Sequence, residues 1–177
     1  MIAYRADMKE LENATLLYTI NNWRNVTEMK MAVSNMTCNA TIPRQEAGSF
    51  VKYMVQATDT IKNSLTATGN FTVKYPSAIA DFNVTKMIVT LGENITATGT
   101  LSAEAAGAPV TLTFLSVNST EQVRCTALGN GTFTASLQPE TTGNWTVQAS
   151  FAGNSSVYDC NSDILVVMVA EQSFFAL

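Results

Sequence analysis

Gly143-Asn144-Trp145-Thr146-Val147-Gln148-Ala149-Ser150-Phe151 alternates apolar and polar residues without a break. Trp145, Val147, Ala149 and Phe151 fall on one side of an extended chain, and Thr146, Gln148 and Ser150 on the other. A period of two with β-branched and aromatic residues is the mark of a strand with one face in a core and one in water. The pattern recurs in both directions along the chain. Val110, Leu112 and Phe114 alternate with Thr111 and Thr113, and Phe133, Ala135 and Leu137 with Thr134 and Ser136. Upstream, Val51, Tyr53, Val55 and Ala57 alternate with Lys52, Met54 and Gln56, and Phe71, Val73 and Tyr75 with Thr72 and Lys74.

Turn-forming residues separate these runs: Asn21-Asn22, Gly48, Gly69-Asn70, Gly92-Glu93, Gly107, Gly129-Asn130-Gly131, Gly143-Asn144 and Gly153-Asn154. Short strands at this spacing predict an all-β chain built of β-sandwiches. No stretch holds a 3.6-residue period, although residues 8–14 are compatible with a brief helical turn.

Composition agrees. Of 177 residues, 37 are Ser or Thr, 46% are hydrophobic and 14% are charged. The apolar fraction suffices for a core, and the low charge with abundant Thr and Val favours strands. Histidine is absent, which excludes Ser-His-Asp and Cys-His pairs, the HExxH zinc site and any histidine base. A net charge of −4 and pI near 4.7 argue against a nucleic-acid partner.

Charge also divides the chain. Residues 1–79 carry eight basic groups against six acidic ones, and residues 80–177 two against eight. The shift falls at Tyr75-Pro76-Ser77-Ala78-Ile79-Ala80, where a proline ends a strand run. The expected organisation is a sandwich over 1–76, a linker over 77–81, a second sandwich over 82–170 and a tail over 171–177. A weak internal repeat supports two copies of one architecture. Val55-Gln56-Ala57 matches Val147-Gln148-Ala149, and Leu16 and Tyr18 mirror Leu112 and Phe114. In the second copy, strands are expected near Phe82–Leu91 and Ile95–Leu101. The counterpart of the latter in the first copy falls near Ile2–Met8 with nothing before it, so the first sandwich is expected to lack its opening strand.

Several segments taken together resemble a known family. They are Gly92-Glu93-Asn94-Ile95-Thr96-Ala97-Thr98-Gly99, Ala106-Gly107-Ala108-Pro109-Val110-Thr111-Leu112, Asn130-Gly131-Thr132-Phe133, Gly143-Asn144-Trp145-Thr146-Val147 and Phe151-Ala152-Gly153-Asn154-Ser155. In this order they resemble the Ig-like repeat domains of bacterial and archaeal surface proteins, over about residues 80–170. The first half more loosely resembles Ig-like or fibronectin-III-like modules, through Ala14–Tyr18, Cys38–Pro43 and Val51–Asp59. The resemblance implies two tandem Ig-like sandwiches with an extracellular spacer, adhesion or S-layer-associated role and no catalytic residues. An archaeal source is the preferred reading.

The strongest functional signal is Asn-x-Ser/Thr. Such sequons begin at Asn13, Asn25, Asn35, Asn39, Asn70, Asn83, Asn94, Asn118, Asn130, Asn144 and Asn154, so 11 of 15 asparagines take part. At the chain's own Ser/Thr frequency about three would be expected. N-glycosylation of an exported protein accounts for the excess. Asn-rich turns leading into Thr-rich strands would inflate the count without any glycan. Alternation turns Asn39, Asn70, Asn83 and Asn144 away from their apolar neighbours, and the rest lie in or beside turns. The first ten residues contain no apolar segment of a secretion signal, and Ile164–Ala170 is too short to cross a membrane. The combination fits a piece of a longer surface protein whose anchor lies outside this chain.

The three cysteines show no metal-binding spacing. Cys38 shares a face with Ala40 and Ile42 and is expected in the core. Cys125 and Cys160 form a candidate disulfide, which would contribute about 3–4 kcal/mol if their Cα atoms approach closely enough. Asp159, Asn161 and Asp163 could offer oxygens to Ca²⁺, but Ile164 stands where an EF-hand loop needs glycine, and a solvated loop is the simpler reading. Trp145 is expected as a core anchor. Trp23, between Asn22 and Arg24, is expected near a hairpin turn, where an exposed ring could stack on a sugar. Met29, Met31 and Met36 are expected as core filler, and Glu10 and Glu12 as a solvated strand end.

These observations point to a non-catalytic extracellular module with no cofactor. Its partners would be covalent N-glycans and other surface-protein domains or subunits. The alternatives are an adhesin or carbohydrate-binding module, an accessory domain of a larger surface enzyme, or a filament subunit assembled by strand complementation.

Overall fold

A computed structural model describes residues 10–171. It contains fifteen strands: β1 Leu11–Thr19, β2 Thr27–Lys30, β3 Ala32–Ser34, β4 Thr37–Asn39, β5 Phe50–Asp59, β6 Ser64–Thr72, β7 Ile79–Val84, β8 Ile88–Thr90, β9 Ile95–Leu101, β10 Pro109–Leu115, β11 Thr120–Thr126, β12 Thr132–Leu137, β13 Gly143–Phe151, β14 Cys160–Asn161 and β15 Leu165–Ala170. The only helical element among the described residues is one 3₁₀ turn, Ala103–Ala105. The chain is all-β. It divides into two units, Met1–Lys74 and Tyr75–Leu177.

The second unit is a sandwich. One sheet runs β11-β10-β13-β15-β8, with β14 beside β13, and the other runs β12-β9-β7. The stretch 143–151 occupies the centre of the larger sheet, paired with β10 on one side and β15 on the other. Its apolar side is fully buried: Trp145, Val147, Ala149 and Phe151 meet Val110, Leu112, Phe114, Val167 and Val169 in one cluster. The smaller sheet adds Ile95, Ala97, Leu101, Phe133 and Ala135 from its inner face. Trp145 is the largest fully buried side chain, and its indole Nε1 donates to the Thr141 carbonyl at 3.0 Å. That bond spares the core an unpaired donor.

Two glycines let strands β9 and β12 of the smaller sheet approach closely. Phe133 lies directly opposite Gly99 in the register, and its ring fills the space that a Cβ at 99 would need. Gly131, at φ +84, turns the chain from β11 into β12 with no room for a Cβ against the Leu101 carbonyl. A positive φ and a backbone contact together leave glycine as the fitting residue.

The first unit has a four-stranded antiparallel sheet, β2-β1-β5-β6, and the small hairpin β3-β4. One face of the sheet carries Ala14, Leu16, Val55 and Ala57, which pack with Met29, Met31, Val33, Cys38 and Ile42. Among the described residues four of this cluster are buried, against nineteen in the second unit's cluster. Leu65 and Ala67 continue the same face on β6 through register with Ala57 and Val55, and they are half-buried.

Several expectations need correction. Residues 11–14 begin β1 rather than a helical turn. Gly69-Asn70 is not a turn but lies inside β6, because the Tyr53 ring opposite covers Gly69. This is aromatic cover of a strand glycine, as at Phe133 and Gly99. The strand expected over 82–91 is two strands, β7 and β8, which belong to different sheets. Residues 77–81, read as a linker, include the first three residues of β7. Tyr75 is tied to the second unit by backbone bonds with Ser156 and Tyr158. Met36 is exposed in the β3–β4 turn, while Met31 is buried.

The internal repeat corresponds to equivalent strand pairs, but with a two-residue offset in the first member. Ala57 faces Ala14, and Ala149 faces Leu112. Ala14 and Leu16, rather than Leu16 and Tyr18, are the counterparts of Leu112 and Phe114. The strand expected near Ile2–Met8 and residues 172–177 of the tail lie outside the described residues.

Candidate functional site

All eleven sequon asparagines are exposed. Strand geometry explains those in sheets. With a period of two, the Asn of a sequon and its Thr share a face, and the apolar residue between them points the other way. Asn144 and Thr146 flank buried Trp145 in this manner, and Asn13 and Thr15 flank buried Ala14. Asn25, Asn94, Asn118, Asn130 and Asn154 occupy connections between strands, and Asn35 the turn between β3 and β4. Asn39 ends β4, while Asn70 and Asn83 lie on β6 and β7, each at the edge of its sheet.

The amide groups are also disposed alike. Where a sequon side chain bonds to the protein, its oxygen does so. Asn83 Oδ1 accepts from the Val84 N–H at 2.8 Å. Asn130 Oδ1 accepts from both the N–H and the hydroxyl of Thr132, its own sequon partner. Asn154 Oδ1 accepts from the N–H groups of Ser156 and Val157. The bonds at Asn130 and Asn154 are Asx turns, and in all three residues the oxygen, not Nδ2, is the atom tied to the protein. No sequon Nδ2 donates a hydrogen bond within the described residues. The asparagine whose Nδ2 does donate is Asn63, to the Asp59 carboxylate at 3.0 Å, and Asn63 is not in a sequon.

The β1–β2 connection is the most elaborately built loop. Thr19, nearly fully buried, accepts at Oγ1 from the N–H groups of Asn21 and Trp23 and donates to Asn21 Oδ1. Asn21 Oδ1 also accepts from the Asn25 N–H at 2.9 Å, and Lys52 Nζ reaches Asn22 Oδ1 at 2.6 Å. Within this frame Asn22 and Trp23 both take positive φ, +58° and +69°. A left-handed backbone is costly for a residue as bulky as Trp, about 1–3 kcal/mol. Trp23 is 37% exposed. Sequence reasoning placed Trp23 at a turn but missed Thr19, whose role depends on a buried hydroxyl that no local pattern marks.

Asp59 was missed for a similar reason. It is completely buried at the end of β5, where its Oδ1 accepts from the Ile61 and Asn63 N–H groups and organises the β5–β6 turn. An Asp ending an alternating run, four residues before Asn, was the available signal.

The disulfide expected between Cys125 and Cys160 is not formed; all three cysteines are free. Register gives the reason. Cys125 faces Val110 on β10, Thr111 beside it faces Ser150 on β13, and Cys160 faces Phe151 beyond. Three strand spacings separate the two cysteines, roughly 14 Å, whereas a bridge needs Cα atoms within about 7 Å. Both thiols pack at the margin of the core, and burial pushes the Cys125 thiol above its ordinary pKa. Cys38 is half-buried against the first unit's cluster.

Asp159, Asn161 and Asp163 are exposed, and no group of three or more His, Cys, Asp or Glu side chains among the described residues could hold a metal ion. Glu12 pairs with Lys62 at 2.6 Å on the surface. Glu93 accepts from the Thr90 N–H and from Lys86 Nζ, each at 2.9 Å; these contacts hold its carboxyl below the usual carboxylate range. No described helix is long and apolar enough to cross a membrane.

No protein-family model matches the chain, and no curated protein matches it. Among solved structures, it is similar to a tetra-tandem repeat from the extending region of a large adhesion protein, at 15% identity and a TM-score of 0.47. It is also similar to the FN1–FN3 domains of chicken CNTN1, at 11% identity and a TM-score of 0.46. The matches cover 92% and 89% of this chain, and 43% and 55% of those chains.

Proposed function

We propose that this chain is a non-catalytic extracellular module, a spacer or stalk segment of a surface protein, carrying N-glycans on its eleven sequons. The observation that carries this reading is the uniform disposition of those asparagines. Every one is exposed, and none commits its Nδ2, the atom that would bear the sugar. Strand composition alone explains why Asn and Thr share solvent faces. It does not require sequons in so many of the connections as well, nor on the edge strands of both units.

The second unit supplies what a spacer needs. Its buried apolar core is continuous across two sheets, and glycans at Asn94, Asn118, Asn130, Asn144 and Asn154 would surround both ends of the sandwich. On β6, which contains neither a charge nor a proline, a glycan at Asn70 would supply a barrier to edge pairing that the sequence otherwise omits. The same reading gives the protein its expected partners, neighbouring surface domains. It assigns no catalytic step, cofactor or metal.

Site-by-site glycopeptide mass spectrometry on protein from its natural source tests the proposal. Sugar on most of the eleven asparagines is the expected result. Unmodified peptides throughout would reduce the sequons to a by-product of strand composition.

A further inference from the structure

Trp23, Asn25 and Thr27 stand at alternate positions across the β1–β2 connection, Trp23-Arg24-Asn25-Val26-Thr27. Among the eleven sequons, this is the one with an aromatic residue two positions before its Asn. The loop is fixed at both residues. The Trp23 N–H is held by Thr19 Oγ1 at 3.2 Å, and the Asn25 N–H by Asn21 Oδ1 at 2.9 Å. Arg24 N–H adds a bond to the Asn21 carbonyl.

Asn22 and Trp23 are the two central, positive-φ residues of a hairpin turn closed by the Arg24 N–H on the Asn21 carbonyl, which accounts for the backbone but not for a tryptophan at this place. Trp23 is held in a left-handed conformation that its bulk disfavours. It nevertheless stays partly exposed, belonging to neither core cluster, and its indole N–H donates to no described group. Trp145, by contrast, is buried and donates to a carbonyl. Strain kept by a dense hydrogen-bond frame at an exposed aromatic is a reason to look for a ligand.

We propose that Trp23 is the platform for the first sugar residue of a glycan on Asn25, an intramolecular stacking site. This rests on the glycosylation reading above. Residues two apart in a held turn have Cα atoms within about 7 Å, and a sugar ring begins one bond beyond Nδ2, so the ring lies in reach of the indole. The less polar face of a pyranose presents C–H groups, whose positive edges suit the negative face of an aromatic π-system. The free indole N–H offers a donor to a sugar hydroxyl or acetamido oxygen. Apolar body and polar tip would both be satisfied by one ligand.

The consequence is a division of labour among glycans: the one on Asn25 is folded onto the protein and stabilises the β1–β2 loop, while the others extend into solvent.

The test uses the full chain made in a host that attaches N-glycans, trimmed enzymatically to single N-acetylglucosamine residues. Occupancy at Asn25 is read by peptide mass. Proton NMR then locates the Asn25 sugar, whose ring protons are expected upfield under the indole and at ordinary shifts in Trp23→Gly. Glycine suits the positive φ, so this variant keeps the loop conformation; Trp23→Phe should retain part of the shift. Asn25→Gln is expected to lower Tm by about 2 °C in the parent chain and by nothing measurable in Trp23→Gly. An occupied Asn25 with ordinary sugar shifts, and the same Tm loss with or without Trp23, would overturn the stacking site and leave the glycosylation reading intact. Bare sequons in protein from the natural source would instead overturn the glycosylation reading, and this inference with it.

Discussion

At the scale of single residues, glycine and cysteine give the sharpest expectations. Gly131 combines φ +84 with a backbone carbonyl where a Cβ would stand. Gly131→Ala should therefore destabilise the second unit by about 2 kcal/mol, measurable by urea unfolding. Gly107, also at positive φ but with open space around it, should lose less on the same change. Three thiols should titrate with Ellman's reagent in denaturant without reductant, since no bridge forms. In the folded state Cys125 should react slowly at neutral pH, because burial disfavours its thiolate. Finding one thiol would restore the bridge and contradict the strand register.

The same scale shows which residues could be read from sequence. Trp145, Val147, Ala149 and Phe151 were legible as a buried face because their alternation is local information. Exposure of Asn39, Asn70, Asn83 and Asn144 followed from the same alternation. The cysteine pairing was not legible, because it depends on which strands lie between β11 and β14. Thr19 and Asp59 were not legible either. Each is a buried polar group whose value lies in the backbone N–H groups it accepts from, and those become neighbours only after the turn forms.

At the scale of elements, β8 and its turn offer a pH-dependent contact. Glu93 accepts from the Thr90 N–H within the β8–β9 turn and from Lys86, which precedes β8, and its folded pKa is lowered from 4.5. Both folded and unfolded states are ionised above that value, so the contribution is fully present there. It fades as pH falls through the lowered folded value. An NMR titration of the Glu93 side chain should give a midpoint below 4.5, and in Lys86→Met the midpoint should move upward.

Elements also explain the corrected boundaries. The run 82–91 contains strand-forming residues throughout, but β7 pairs antiparallel with β9 while β8 pairs parallel with β15. Sequence periodicity registers extended chain and cannot register a change of sheet. Gly69 inside β6 is a related case. Glycine is a turn signal locally, and only the Tyr53 ring from the neighbouring strand makes it a strand residue.

At the scale of the molecule, the two units differ in how much apolar surface they bury. With a four-residue cluster against nineteen among the described residues, the first unit should exchange its amide hydrogens first. Protection measured by hydrogen exchange should be strongest in β10 and β13 and weaker throughout β1 and β5. The outer face of the second unit's large sheet leaves Ile88, Val166 and Met168 exposed, with Ile88 and Met168 in register. Asn144 faces Met168 from β13, so a glycan there would stand beside this apolar strip. Glycan-free protein should therefore self-associate more than glycosylated protein in sedimentation runs, and Met168→Lys should suppress the difference.

The proposed function rests on occupied sequons. Intact mass under non-reducing conditions, on protein from its natural source and before and after chemical removal of glycans, tests it most directly. The expected result is an intact mass several kilodaltons above that of the polypeptide, an excess that disappears on stripping. A mass that equals the polypeptide's from the outset and does not change on stripping would contradict it.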